Sequence, residues 1–338
     1  MAAIAAAARR LAAGDLVAFP TETVYGLGAD ATNEDAVRRI FAAKGRPADH
    51  PLIVHLGSAA QLMQWARVLP DGARALADAF WPGPLTLILP RAARVSDLVT
   101  GGQDSVGLRV PSHPVAQSLL RAFGGGVAAP SANRFGRISP TTAAHVAADL
   151  GDEVGTILDG GDCPLGIEST IVAFTGDEPV LLRPGAISLE AIARVLGYAP
   201  RVAHDAGPHA ANVGARGKDS IAAPRASGTL ASHYAPRTPS QLVPPLALVA
   251  ELELFVARDE RVAVLARTVR KKPGLADVWI AAPLDAVAYA HDLYANLRAL
   301  DAANADVIII EAPPEGDAWH AVRDRLARAT HGEDDDRD

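Results

Sequence analysis

The chain has 338 residues, 49% hydrophobic and 21% charged, which suits two globular domains rather than disorder. Its net charge of −7 argues against a protein whose main work is wrapping nucleic acid through a basic surface. One cysteine, Cys163, excludes an internal disulfide and a cysteine-based zinc site, points to the cytosol, and accompanies a sequence with no apolar run of membrane-spanning length.

The alanine-rich start reads as an amphipathic helix, with Ile4, Ala7, Ala8 and Leu11 on one face and Gly14 as its stop. Val17 to Phe19 form a strand that ends at Pro20, and Thr21-Glu22-Thr23 follow as a polar turn. Asn33 caps the next helix, Glu34 and Asp35 favour its positive end, and Val37, Ile40, Phe41 and Lys44 share one face. Lys44-Gly45-Arg46-Pro47 closes that helix beside a strand at 52–56. Helices are predicted at 58–69 and 72–80, a strand at 85–89, and a mixed stretch at 91–104 with a flexible loop from Gly101 to Asp104. A strand at 106–110 carries Arg109, a helix spans 114–123, and a short strand at 127–129 runs into Pro130-Ser131-Ala132-Asn133. A helix to Leu150, strands at 156–158, 169–174 and 180–183 and a helix at 188–196 complete a first domain, 1–200, with a mixed sheet.

Residues 201–240 have no sustained periodicity and read as a linker, either a lid over the site or a passive tether, that contains the segment Ser227–Pro236. From 241 to 331, strands at 241–243, 261–265, 278–280 and 307–311 alternate with helices near 246–257, 284–301 and 317–329. This pattern predicts a small Rossmann-like parallel α/β sheet, with Val287, Ala290, Tyr294 and Leu297 on one side of the middle helix. The tail, 332–338, is acidic.

Several residues invite chemistry, each with a plainer reading. Lys44 and Arg46 form either a phosphate grip or a solvated helix end that complements the dipole. Ser131 and Asn133 can donate to phosphate or ribose oxygens. Arg109 is either an outward charge on an edge strand or a bidentate carboxylate clamp, and Arg183 carries the same ambiguity. His55 reads first as a satisfied inward histidine, and Ser169-Thr170 as turn chemistry. Cys163 is more a small buried residue than a nucleophile. No GxxxxGK[ST] loop occurs; Gly214 to Ser220 is a near miss with no strand before it.

The segments TETVYGLG, KGRPADHPLIVH, LRVP, PSANRFGRISPT, GIESTIV, LLRPG and SGTLASHYAP together closely resemble the threonylcarbamoyl-AMP synthases, in the long form with a YrdC-like catalytic domain, a linker and a second α/β domain. The resemblance is specific from about residue 10 to 238 and looser beyond. It implies a catalytic and ATP-binding set of Lys44, Arg46, Ser131 and Asn133, with further ATP contacts at His50, Ser105, Ser139 and Arg183 and adenylate contacts at His233 and Tyr234. It implies threonine contacts at Thr23, His55, Arg109, the Ala129 backbone and Ser169. One position departs from the family pattern, since His50 stands where many members carry Asn.

The implied reaction joins L-threonine, bicarbonate or CO2, and ATP into threonylcarbamoyl-AMP and pyrophosphate. The product then passes to other proteins that modify the adenosine next to the anticodon in tRNA. Magnesium carried by ATP, no protein metal ligand, a transient RNA contact, no membrane partner and a cytoplasmic location complete the expectation. Two other readings compete. A non-catalytic RNA-binding module is disfavoured by the acidic charge, and a carbamoyl-transfer enzyme of hydrogenase maturation would bring the cysteine-rich zinc modules that this chain lacks.

Overall fold

The computed structural model describes residues 2–203 and 224–331. They fold as two compact units, the first holding the chain to Phe135 with 140–164 and 168–229, the second holding 136–139, 165–167 and the chain from Leu230. The near-miss phosphate loop at 214–220, half of the expected linker (204–223) and the acidic tail lie outside the described residues.

The first unit is built on a nine-stranded mixed sheet: β1 (Val17–Pro20), β2 (Tyr25–Asp30), β3 (Ile53–His55), β4 (Leu85–Pro90), β5 (Ser105–Arg109), β6 (Val127–Ala128), β7 (Thr170–Ala173), β8 (Val180–Arg183) and β9 (Arg201–Val202). Their spatial order is β1-β2-β6-β3-β5-β4-β7-β8-β9. Because successive side chains alternate, the register divides them cleanly into two faces. Val54, Leu87, Leu108, Val172 and Leu181 all point into the main core. That core is closed by α2 (Glu34–Lys44), α3 (Asp71–Phe80), the single turn α4 (Asp97–Thr100), α6 (Ala143–Leu150) and α7 (Leu189–Leu196).

The opposite face is treated unevenly. Over β1, β2 and β6 it is covered by α1 (Ala2–Ala12) and α5 (Pro114–Phe123), which bury Ala7, Ala8, Leu11, Ala116, Leu119 and Leu120 against Val17, Phe19 and Val127. Over β3, β5, β4, β7 and β8 the cluster on this face is small and holds Ile88, Ile171 and Ala173, with Ala226 from the loop before the second unit.

Four local expectations differ from the structure. β2 was not expected between the polar turn at Thr21–Thr23 and the Asn33 cap, and its Tyr-Gly-Leu-Gly carries two glycines. Gly28 is needed because a Cβ there would stand 2.8 Å from both the Phe19 ring and the Val127 side chain. The predicted helix 58–69 is a six-residue 3-10 helix, Ala59–Gln64, since Ala66 is drawn into a bridge with Arg91. The strand predicted at 156–158 reduces to one bridge, Ile157 to Ala18. The turn α4 arises within the mixed stretch, between the Ser96 cap and Gly101 in the left-handed region.

The second unit has a four-stranded, all-parallel sheet of β10 (Ser240–Val243), β11 (Val262–Ala266), β12 (Val278–Ala281) and β13 (Val307–Glu311), in the order β10-β13-β11-β12. With α8 (Leu248–Ala257), α9 (Ala286–Asp301) and α10 (His320–Ala329) it forms the expected small α/β unit. α9 buries Tyr289, Ala290, Leu293, Tyr294, Leu297 and Leu300. Val287, expected on that stripe, is 74% exposed, because it lies in the first turn before the stripe begins.

Candidate active site

The half-covered face of the first sheet collects polar groups in one row. His55 pairs with Arg109 across β3 and β5. Following the β4–β5 register one step from Leu87↔Leu108 brings Thr86 opposite Arg109. Thr86 pairs with Ile171, and Ile171 with Arg183. Residues so paired point to one side of a sheet, so four strands deliver two arginines, a histidine and a threonine to the same surface, with Ile171 of β7 between them. β5 is an interior strand, so Arg109 is not an edge charge, and its side chain is 5% exposed.

A second group of charges comes from the end of α2. Asn33 caps the helix with its side-chain oxygen, and Gly45 ends it at φ 64, turning Arg46 back toward the sheet. Lys44 is buried, and its Nζ donates to the carbonyls of Ser131 at 2.6 Å and Asn133 at 2.5 Å, with Asn133 Oδ1 at 3.4 Å. Ser131 Oγ in turn donates to Asn133 Oδ1 at 2.5 Å. Burial, and then the charge of Arg46, push the Lys44 pKa well below the ordinary lysine value. The three surrounding oxygens act only as acceptors, which favours the ammonium form and opposes that pull. Arg46 donates from Nη2 to the Pro51 carbonyl at 3.0 Å and lies over the Phe135 ring at 5.6 Å. His50 meets the same ring edge-on at 5.2 Å, and burial followed by Arg46 lowers its pKa. The structure therefore brings together Lys44, Arg46, His50, Ser131 and Asn133.

Around Arg109 the structure adds a residue that sequence reasoning missed. Glu22 lies within the Thr21–Thr23 turn, which was read only as polar. Its Oε1 stands 2.8 Å from Arg109 Nη2, and its Oε2 accepts the Ser112 N–H at 2.9 Å. Burial alone would raise the Glu22 pKa, but Arg109 and the hydrogen bonds outweigh it and hold the carboxyl below its ordinary value. A polar residue followed, far along the chain, by an arginine inside an apolar strand was the available signal. Thr23 is fully buried one step away, with Oγ1 2.8 Å from Thr21 Oγ1. The Ala129 N–H is used in the sheet, donating to the Ile53 carbonyl at 3.0 Å.

His55 is buried, its Nδ1 has no hydrogen-bond partner, and the Phe19 ring meets it edge-on. Burial, and then the Arg109 charge, push its pKa down to about 3. The imidazole is thus neutral at working pH. The unfolded chain binds a proton at this histidine below its ordinary value of 6.5, and the folded chain does not until about 3. Stability is therefore undiminished above 6.5 and falls as pH drops toward 3. Between pH 7 and pH 5 this one group is expected to remove about 2 kcal/mol of stability. Denaturant melts at the two pH values check it; an equal loss in His55→Gln would assign the effect elsewhere.

At the other end of the row, Ser169 Oγ lies 2.8 Å from Thr86 Oγ1. Arg183 donates from Nη2 to Ser169 Oγ at 3.1 Å, from Nε to the Ser169 carbonyl at 3.0 Å, and from Nη1 to the Ser227 carbonyl at 2.7 Å. Residues 225–227 form a strap over this end of the face. Arg225 donates to the Gly101 carbonyl at 2.7 Å, and its backbone N–H donates to Gln103 Oε1 at 2.7 Å. Ser105, Thr86, Gly107 and Ile171 line the slot beneath. Its free volume is about 10 Å³, room for one water at most.

The remaining expected residues lie in the second unit. Ser139 is fully buried, with its carbonyl 3.5 Å from Arg298 Nε. His233 and Tyr234 are buried there too, their rings 4.2 Å apart. Tyr234 has φ 64, and its ring packs against Tyr294 at 5.7 Å and under the Arg325 guanidinium at 5.4 Å. Cys163 is buried, and burial pushes its thiol up to about 12, which suits packing and not nucleophilic attack. Among the described residues no three His, Cys, Asp or Glu side chains cluster to hold a metal ion. No helix among them is long and apolar enough to cross a membrane.

Comparison with known proteins extends the description. The Sua5/YciO/YrdC family model described as telomere recombination matches residues 9–185, and the model of the threonylcarbamoyl-AMP synthase C-terminal domain matches residues 187–331. The chain is 41% identical to a threonylcarbamoyl-AMP synthase of Bacillus subtilis, over 97% of this chain and 93% of that one. It is also 41% identical to one of Pyrococcus abyssi, over 94% and 91%. A crystal structure of P. abyssi Sua5 complexed with L-threonine superposes with a TM-score of 0.87 at 39% identity, covering 97% of this chain and 94% of that one.

Proposed function

The chain belongs to the threonylcarbamoyl-AMP synthase family, and from that premise we propose how its first unit carries out the family's reaction. The enzyme is an adenylyl transferase: it joins L-threonine, bicarbonate or CO2, and ATP into threonylcarbamoyl-AMP and pyrophosphate, for threonylcarbamoyl-adenosine in tRNA. The observation that carries the residue assignment is four buried cations, Lys44, Arg46, Arg109 and Arg183, within one unit. Burying one cation is costly, and burying four is sensible where a polyanion and a carboxylate are to be received.

Arg109 takes the threonine carboxylate. Its Nε is buried without a hydrogen-bond acceptor beside Nη2, which stands 2.8 Å from Glu22 Oε1, and the Nε–Nη2 edge has the geometry to receive a carboxylate in bidentate fashion. His55 Nδ1, Thr23, the Ala129 backbone and Ser169 position the rest of the amino acid. Lys44, Arg46 and Arg183 face the triphosphate, and Ser131 and Asn133 supply oriented donors, with His50 and Ser105 as further ATP contacts. The threonine nitrogen forms a carbamate with bicarbonate or CO2. A carbamate oxygen then attacks the α-phosphorus and pyrophosphate leaves. The protein provides no covalent nucleophile; its work is charge and orientation in a site shielded from water. Magnesium carried on the triphosphate would supply further neutralisation of the phosphate charge.

A free carbamate loses CO2 in water, so a cover is useful. The strap 225–227 fills the slot above Thr86 and Gly107 and is latched by Arg183. In this proposal it moves when substrates enter. The cytoplasm is the proposed location, and tRNA-modifying proteins are the proposed recipients of the product.

Threonine differs from serine by one methyl group, worth about 1–3 kcal/mol in a shaped pocket. Serine is thus expected as a poorer substrate by roughly 10- to 200-fold in kcat/KM. Equal turnover of both amino acids would rule out a pocket shaped to the methyl. The function itself is tested by pyrophosphate release from ATP with L-threonine and bicarbonate, each left out in turn. Release that persists without threonine would sink the reading.

A further inference from the structure

The residues assigned to threonine leave one half of that molecule unmatched. An α-amino acid brings a carboxylate and an ammonium, and Thr23, His55, Arg109, Ala129 and Ser169 include a cation for the first but no anion for the second. Glu22 is the carboxylate beside this set. Its Oε2 is fixed by the Ser112 N–H at 2.9 Å, so the group is anchored to the backbone and not merely drawn to Arg109. Its Oε1 is buried and stands 2.8 Å from Arg109 Nη2, and the guanidinium is its one neighbour that can donate, which leaves the second lone pair of the oxygen unused. One buried oxygen with an unused lone pair therefore adjoins the carboxylate-binding edge of Arg109.

We propose that Glu22 Oε1 accepts an N–H from the substrate's nitrogen and so selects amino acids over other small carboxylates. This rests on the assignment of the threonine carboxylate to Arg109. The contact persists through the first chemical step. The threonine ammonium and bicarbonate give the carbamate, one water and one proton; the nitrogen–carbon bond forms, a carbon–oxygen bond of bicarbonate breaks, and the proton leaves to solvent. The carbamate nitrogen keeps one N–H, which is the hydrogen that Glu22 continues to hold. Glu22 is therefore an orienting acceptor, and it is not the base. It also balances the Arg109 charge, so a ligand with a carboxylate alone meets an anion where the ammonium should be.

The experiment is calorimetric binding of L-threonine and of (R)-3-hydroxybutanoate, which lacks the amine, to the full chain and to Glu22→Gln, Glu22→Asp and Arg109→Gln, with an ATP analogue as a check that the site is folded. Wild type is expected to prefer threonine by about thirtyfold or more, the worth of a buried charge pair. In Glu22→Gln that preference should shrink by about tenfold or more, chiefly through weaker threonine binding, with partial recovery in Glu22→Asp. Equal affinity of wild type for the two ligands, or an unchanged preference in Glu22→Gln, would overturn the proposal, and the wild-type comparison stands even if the Gln variant does not fold. Threonine affinity unchanged in Arg109→Gln would instead overturn the carboxylate assignment beneath it.

Discussion

Lys44→Ala is expected to slow pyrophosphate release by a factor of about 10²–10³, the usual cost of removing one oriented charge from a developing anion. Two effects combine. The substitution removes a cation from the phosphate site, and it also releases the Ser131 and Asn133 carbonyls and Asn133 Oδ1, which Lys44 Nζ gathers. The loop that carries Ser131 and Asn133 should therefore loosen, and KM for ATP should rise with the fall in kcat. Lys44→Arg is not expected to restore activity, since a planar guanidinium cannot enter a cage built around one nitrogen. Steady-state kinetics of both variants check this. Near-normal kcat in Lys44→Ala would show that its charge takes no part in the transition state.

Arg109→Gln is expected to act differently, on threonine and on stability. Losing a buried, bidentate charge contact costs roughly 2–5 kcal/mol, so KM for L-threonine should rise by about thirtyfold or more while KM for ATP stays near normal. The variant should also be less stable by about 3–5 kcal/mol at neutral pH, because Glu22 is left as a buried carboxylate without its partner. Lowering the pH should narrow that gap. The Glu22 carboxyl is held below its ordinary value of 4.5 by Arg109, so the pair stabilises fully above 4.5 and is lost as pH falls through the folded value. In the variant the carboxyl instead gains from protonation. Urea melts at pH 7 and pH 4 measure both. A threonine KM unchanged in the variant would remove Arg109 from the amino-acid site.

How much of this could be read before the fold was known depended on the range of the interactions. The helix α2, with its Asn33 cap, its buried Ile40 and Phe41 and its stop at Gly45, rests on contacts within eleven residues and was legible. So were the apolar strands of both sheets. The motif around Lys44, Arg46, Ser131 and Asn133 was legible as a resemblance, but its internal hydrogen bonds join residues 87 and 89 positions apart. Glu22 was missed because its partners, Arg109 and Ser112, lie about ninety residues away, and a carboxylate between two threonines looks like any polar turn. β2 was missed for a related reason: Gly28 is explained only by the Phe19 and Val127 side chains packed on it, and Gly26 lies under Ala129. The plainer reading of Arg109 as an edge charge failed because strand order, which puts β5 in the interior, is not written in a single strand.

The most direct test is a crystal structure of the full chain with L-threonine and a non-hydrolysable ATP analogue. The account predicts the phosphates beside Lys44, Arg46 and Arg183, near Ser131 and Asn133, and the threonine carboxylate on the Nε–Nη2 edge of Arg109. Phosphates bound away from those three cations, or a threonine carboxylate turned from Arg109, would contradict it.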